Sequence, residues 1–326
     1  MKGALYHPEH GYYTRHAAGV GARGDFSTSA TLHPILGQAV GRWLLEQKSG
    51  LSLKKPWHVI ELGAGGGELA RSVLKSIGWW NRRGLHYHIV EASPHFTQTQ
   101  QAVLRGYPVT WHREIEEALN QTKGEALIFS NEFVDAFPCR VLKNQNGVWN
   151  EVCVSHELGI WKELLRPLQV SSEESINQLL DEKLQGLQRI EVHQSYFLWL
   201  KRWAKQLHRG AVLTIDYGDV APELYFRRPG GTLRAYFRHQ RIEGMEVFER
   251  FGRQDITADV NFSHLIDWGS LFGWEKTRFG TQQEFFLDYC PESGRKADRI
   301  PEVAFLMNSE GPGGAFKVLS QTISSL

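Results

Sequence analysis

The sequence is poor in cysteine and shows no pairing of it: Cys139, Cys153 and Cys290 lie far apart, and no C-x-x-C motif is present. That argues against a disulfide scaffold and a thiolate metal site, and leaves reduced, structural thiols. No apolar run approaches the ~20 residues of a membrane-spanning helix. Long basic runs are also missing, and the formal net charge is only +1. So balanced a chain has no general attraction for nucleic acid or an anionic membrane, and any such partner requires a local patch. The opening Met1-Lys2-Gly3-Ala4-Leu5-Tyr6-His7-Pro8 has neither the apolar segment of a secretory leader nor an Arg-rich amphipathic one. The expected setting is the cytoplasm, or the mitochondrial matrix for a processed organellar protein.

What is present is the balance of a soluble globular protein, 41% hydrophobic and 22% charged. From Trp57 onward short apolar runs alternate with helical stretches, the signature of parallel βαβ units. Trp57–Leu62 enters a glycine cluster, His86–Glu91 ends on an acid, Ala126–Ser130 runs into Asn131-Glu132, and Ala211–Asp216 repeats the theme. Each polar ending falls at the carboxyl end of a strand, where open α/β sheets present ligands. Arg140–Leu142 and Val148–Val152 flank Asn146-Gly147 and read as a β-hairpin, since Asn-Gly supplies positive φ. Residues 173–186 and 194–208 read as helices, the second with Tyr196, Leu198, Trp199, Leu200, Trp203 and Leu207 as a core face. Trp274–Phe279, Val303–Met307 and Phe316–Leu319 read as strands, the last two forming an antiparallel closing hairpin around Gly311–Gly314. Residues 1–32 read as a loop-like arm.

Glu61-Leu62-Gly63-Ala64-Gly65-Gly66-Gly67 follows a strand and precedes a helix, so a ligand can approach bare backbone at Gly63, Gly65 and Gly67. A dinucleotide fingerprint requires Gly or Ala where Glu68 stands, and a carboxylate there opposes a pyrophosphate. No Walker Gly-Lys-Ser/Thr follows. S-adenosylmethionine suits the site better: it carries a carboxylate, an ammonium, a sulfonium and an adenosine, and no phosphate. Glu61 offsets the ammonium, amides at the helix start favour the carboxylate, and Glu91 accepts from the ribose hydroxyls. The alternative for Glu91 is a helix cap, although Ser93 with Pro94 is better suited to that.

Several ordered blocks then resemble one family, the MidA-type S-adenosylmethionine methyltransferases, whose mitochondrial member is a complex I assembly factor that methylates an arginine. They are Tyr6-His7-Pro8 with Gly11-Tyr12-Tyr13, Gly24–Ser29, Glu61–Gly67, Asn131–Pro138, Asp216-Tyr217-Gly218, Gly231–Tyr236 and Asp255–Ala258. The resemblance implies an α/β, Rossmann-like class I methyltransferase fold, a mostly parallel seven-stranded sheet with an antiparallel closing strand, an N-terminal arm and inserted segments. It implies that the Gly24–Ser29 segment, with Thr28 and Ser29, lies near the cofactor together with Asn131. The domain boundaries expected are an arm and helix covering the cofactor over 1–50, a core over 51–138 and 191–326, a hairpin and helix inserted at 139–190, and a substrate-side insertion at 219–262. The chain departs from the family in starting almost on the Tyr-His-Pro block, and in carrying Asp259 and Asn261 where a histidine and an acid are usual.

An arginine acceptor has a pKa above 12 and needs carboxylates to fix it and take its proton. Glu132 and Asp135, three apart and on one face if a helix starts there, are the candidates, with Asp216 at the next strand end and Tyr217 as a wall. The alternative is that the two acids complement a helix N-terminus. Arg234, Tyr236, Arg238 and His239 are candidates for a substrate groove, with pairing of Arg234 to a structural acid equally open. His7, His10, His86 and His88 have no zinc spacing, and no metal is expected. The partner expected is a protein substrate, a complex I subunit by the resemblance. A homodimer stays open; nucleic acid and a membrane span are not expected. A noncatalytic S-adenosylmethionine-binding scaffold and, behind it, a dinucleotide oxidoreductase are the rival functions.

Overall fold

The computed structural model describes residues 1–7, 9–12, 32–168, 188–237 and 240–323. In chain order its strands are β1 (Trp57–Leu62), β2 (Leu85–Val90), β3 (Val109–His112), β4 (Glu125–Asn131), β5 (Arg140–Gln145), β6 (Val148–Glu157), β7 (Ile160–Pro167), β8 (Arg189–Val192), β9 (Arg209–Asp219), β10 (Arg234–Phe237), β11 (Gln240–Ile242), β12 (Asp255–Thr257), β13 (Val260–Asn261), β14 (Glu275–Thr281) and β15 (Phe316–Ile323). The chain divides into two compact units.

The larger unit comprises Ala17–Phe133, Leu200–Tyr217 and Gly269–Leu326. Its sheet runs β14-β15-β9-β4-β1-β2-β3. β9, β4, β1, β2 and β3 pair in parallel, and β15 lies antiparallel to both β9 and β14. These seven strands form the expected mostly parallel sheet with its reversed closing strand, and the two-residue β13 pairs with Gly218-Asp219 at the end of β9 as an eighth. The central strands are nearly continuous apolar runs because a parallel sheet is covered on both faces. Val59, Tyr87, Ile89, Leu127, Phe129 and Leu213 bury against the helices Ile35–Gly50 and Glu68–Arg82. After β3 the chain returns to the other side of β1 to lay down β4. The switch between β1 and β4 opens a crevice at their carboxyl ends, the preferred ligand position of such sheets.

The smaller unit comprises Met1–His16, Val134–Trp199 and Gly218–Trp268. It holds the antiparallel sheet β7-β6-β5-β8 and a second one, β11-β10-β12. The expected hairpin is present, with Asn146 and Gly147 at φ 51° and 85° between Gln145 and Val148, and it extends into four strands.

Several expectations change. Val303–Met307 is helical, part of Pro301–Met307, and the antiparallel neighbours of β15 are β9 and β14. Five apolar residues carry no decisive period, and Pro301 at the first helical turn settles the choice. Strand β3, four residues at the sheet edge, escaped the reading. The second helix is Gln194–Trp203 followed by a 3-10 turn, with Leu198 facing solvent. Lys2–Tyr6 in the arm is helical, burying Ala4 and Leu5 with Tyr12, Ala235 and Ile256. The expected helix over 173–186 lies outside the described residues, as do Thr28, Ser29, Arg238 and His239. All three cysteines are free thiols.

Candidate active site

The glycine turn leaves β1 at its carboxyl end, with Gly63, Gly65 and Gly67 all at positive φ. At Gly63 glycine is required twice over, since φ is 63° and an added Cβ would lie 2.7 Å from the Phe133 ring. At Gly65 an added Cβ would meet nothing within 4 Å, so this backbone faces open space. Gly67 precedes the first turn of Glu68–Arg82, whose leading amides have no partner inside the helix. The Glu68 carboxylate folds back on the turn, 2.3 Å from where a Gly66 Cβ would stand. A pyrophosphate would meet that negative charge directly.

Two acids flank the turn. Glu61 is almost completely buried, and the Tyr87 hydroxyl donates to its Oε2 at 2.5 Å. Burial pushes its pKa up to about 8, the Tyr87 hydrogen bond opposing and Glu91 adding to the rise. Glu91 follows β2 and accepts from the Ser93 amide at 2.9 Å and from Gln100 Nε2 at 3.1 Å. Burial raises its pKa as well, against those hydrogen bonds. The cap of the next helix is Ser93, whose Oγ accepts from the Phe96 amide, with Pro94 in the first turn.

Gln100 escaped sequence reasoning. It is fully buried, and its Nε2 also donates to Gly65 O at 2.9 Å while its Oε1 accepts from Trp111 Nε1 at 3.0 Å. One amide thus joins the turn, the acid of β2 and the edge strand β3. A glutamine inside Thr97-Gln98-Thr99-Gln100-Gln101 carries no signal that would single it out.

At the end of β4, Asn131 Nδ2 donates to Glu132 Oε1 at 3.1 Å, while its buried Oδ1 has no partner among the described residues. Glu132 departs from expectation, because no helix starts here. Its φ is 50°, a left-handed conformation costing about 1 kcal/mol or more outside glycine. The loop is pinned by the Glu132 amide donating to Ile215 O at 3.0 Å and by buried Asp216, which accepts from the Phe133 amide at 3.2 Å and the Tyr217 amide at 2.9 Å. The Tyr217 ring packs on Phe316 with centroids 3.9 Å apart.

Within the smaller unit, Asp135 sits in a turn and accepts from Thr257 Oγ1 at 3.2 Å. Burial pushes its pKa up to about 6, moderated by Arg234 and Thr257. Arg234 is buried and ion-paired to Asp259, and Asp259 also receives Arg228. Burial opposes the Arg234 charge, but Asp259 and Tyr236 hold it, and its pKa ends above the ordinary value. Tyr236 accepts from Arg234 Nε at 3.1 Å. Of the histidines, His7 and His10 stack on one another, and His86 is exposed. His88 is buried in a hydrogen-bonded row with His58 and His112.

Comparison with known proteins agrees with this geometry. A family model for S-adenosyl-L-methionine-dependent methyltransferases matches residues 39–280. The zebrafish (Danio rerio) protein arginine methyltransferase NDUFAF7, mitochondrial, is 27% identical over 297 residues, covering 81% of this chain and 66% of that one. Its Xenopus tropicalis counterpart is 26% identical over 362 residues, covering 98% and 80%. The chain thus spans just under two thirds of the zebrafish relative's length. A Burkholderia thailandensis protein crystallised with S-adenosyl-homocysteine superposes with a TM-score of 0.83 at 26% identity, covering 100% of this chain and 87% of that one. With the glycine turn, its two acids and the sheet order all in place, the chain belongs to the MidA-type family of S-adenosyl-L-methionine-dependent methyltransferases.

Proposed function

We propose that this protein methylates an arginine side chain of a protein substrate, with a respiratory complex I subunit as the acceptor class to test. The observation that carries the reading is the frame Glu61–Gly65–Glu91, a buried acid and a half-buried one on either side of open backbone, with Gln100 tying Glu91 to Gly65. The names of the zebrafish and Xenopus relatives support the arginine acceptor. S-adenosylmethionine, when bound, supplies a methyl group on a sulfonium.

In this reading the residues divide the work. Glu61 and the orphaned Asn131 Oδ1 hold the ammonium, the amides of Gly65, Gly66 and the helix start meet the carboxylate, and Glu91 accepts from the ribose. Glu132 holds the guanidinium N–H groups of the acceptor and takes up the proton lost on methylation. Asp216 spends both oxygens on backbone amides and positions the Glu132 loop. Tyr217 contributes on the acceptor side; Asp135 and Tyr236 are separate candidates within the smaller unit, which Arg234 helps to hold together through Asp259. The reaction is placed in the cytoplasm, or in the mitochondrial matrix in an organelle. The curated relatives are mitochondrial, and no helix among the described residues is long and apolar enough to cross a membrane.

Incubation with isotopically labelled S-adenosylmethionine and a purified complex I subunit should add one or two methyl masses to an arginine in mass spectrometry. Cofactor binding with no arginine gain would favour the scaffold reading instead.

Glu61 adds a second expected result. Its carboxyl, at about 8 in the folded protein against 4.5 ordinarily, stays protonated at pH 7 in the free protein. Because the unfolded chain ionises this carboxyl above 4.5 while the folded protein keeps its proton to about 8, the free protein loses stability as pH climbs between the two. An ammonium opposite reverses this, so binding at pH 7 should release about one proton. Calorimetry in buffers of different ionisation enthalpy measures that release directly. A buffer-independent enthalpy would remove Glu61 from the ammonium site.

A further inference from the structure

The glycine turn lies at the carboxyl end of the central sheet, and the amino end of the same sheet carries a different surface. The helix after the glycine turn breaks at Gly78, whose φ of 75° and ψ of 160° are not helical. The chain then makes one protruding turn and enters β2 at Leu85 through Gly84, at φ 79°. Between the two glycines stand Trp79 and Trp80, 56% and 69% exposed, with rings edge to face at 4.7 Å. The Arg83 guanidinium lies over both, 4.0 and 4.5 Å from the ring centroids. Lys55 runs along Gly84, so the exposed pair Lys54 and Lys55 borders the same turn.

Charge is segregated along this stretch. Between Lys54 and Leu85 the acids are Glu61 and Glu68, both at the glycine-turn end; Arg71 and Lys75 lie along the helix, and Lys54, Lys55, Arg82 and Arg83 gather at the other end. None of those four cations forms an ion pair among the described residues. Tryptophan is the side chain best suited to the headgroup level of a bilayer, where its apolar ring and polar N–H are both accommodated. Basic residues beside it are drawn by anionic headgroups. Neither contribution holds a protein strongly by itself; together they make a reversible interfacial anchor.

We propose that the Gly78–Gly84 turn with Lys54 and Lys55 docks this protein on an anionic lipid surface, the two indoles seated among the headgroups. Docking by the amino end of the sheet leaves the glycine turn at the opposite end clear. It also supplies the local patch without which a chain of net charge +1 has no attraction for a membrane.

The test is flotation of the full chain with phosphatidylcholine vesicles containing phosphatidylglycerol, beside vesicles of pure phosphatidylcholine. The protein should float with the anionic vesicles, stay behind with the neutral ones, and be released as salt screens the charges. Trp79→Ser with Trp80→Ser should lower the bound fraction roughly tenfold, and Lys54→Glu with Lys55→Glu should do the same. Both double variants should keep wild-type melting and S-adenosylmethionine affinity, which separates docking from folding. The proposal falls if the wild-type protein stays with neither vesicle, if it floats equally with both, or if the tryptophan variant floats undiminished.

Discussion

Glu132→Gln should lower kcat by roughly 100-fold or more while leaving the affinity for S-adenosylmethionine within about twofold. Glutamine preserves the size of the side chain and can still accept from Asn131 Nδ2, so the loop geometry has no reason to change. What it removes is the negative charge and the basic oxygen. A guanidinium with a pKa above 12 must surrender a proton when one of its nitrogens is methylated, and an amide does not take it. The backbone points the same way: Glu132 is held at φ 50° by the hydrogen bond its amide donates to Ile215 O and by the grip of Asp216 on the following amide, and such strain persists only where surroundings enforce it. Single-turnover kinetics with labelled cofactor and the acceptor protein measure the effect. Undiminished turnover would strip Glu132 of this role and return it to a merely structural place in the loop.

Glu91→Ala should weaken cofactor binding by roughly ten- to 150-fold, because hydrogen bonds to a charged acceptor contribute about 1.5–3 kcal/mol. The free protein should suffer as well. The Ser93 amide loses its acceptor and Gln100 Nε2 keeps only Gly65 O, and an unpaired donor away from water costs about 1–3 kcal/mol. A lower denaturation midpoint without cofactor should therefore accompany the weaker titration. Loss of stability with unchanged affinity would mean that Glu91 serves the fold alone. Gln100 is the natural companion: Gln100→Leu breaks the tie from Glu91 to Gly65 and Trp111 while leaving the carboxylate in place, which separates orientation of the acid from its charge.

Local chemistry was legible wherever one short segment sufficed. The glycine turn, the acid closing β2, the Asn146-Gly147 hairpin and the Ser93-Pro94 helix start each depend on backbone preferences within a few residues, and the structure has all four. Short apolar runs were less informative. Val303–Met307 has too few residues to distinguish a strand from one turn of helix, and Pro301 was the overlooked cue. The spacing of Glu132 and Asp135 suggested a shared helical face, but the loop follows the end of β9 instead, to which Asp216 and Ile215 bind it. Arg234 was open between substrate and structure until the fold brought Asp259 to it from 25 residues away.

By itself the sequence determined the order of the βαβ units, the bare turn and the acids flanking it, since glycine at positive φ and carboxylates at strand ends are requirements of the nearest few bonds. Only the tertiary structure decided which oxygens remain available for a ligand, that Gln100 ties three segments together, and that burial raises the Glu61 carboxyl above the ordinary carboxylate range. Those properties arise from desolvation and from partners far along the chain, and neither exists until the sheet has closed over them.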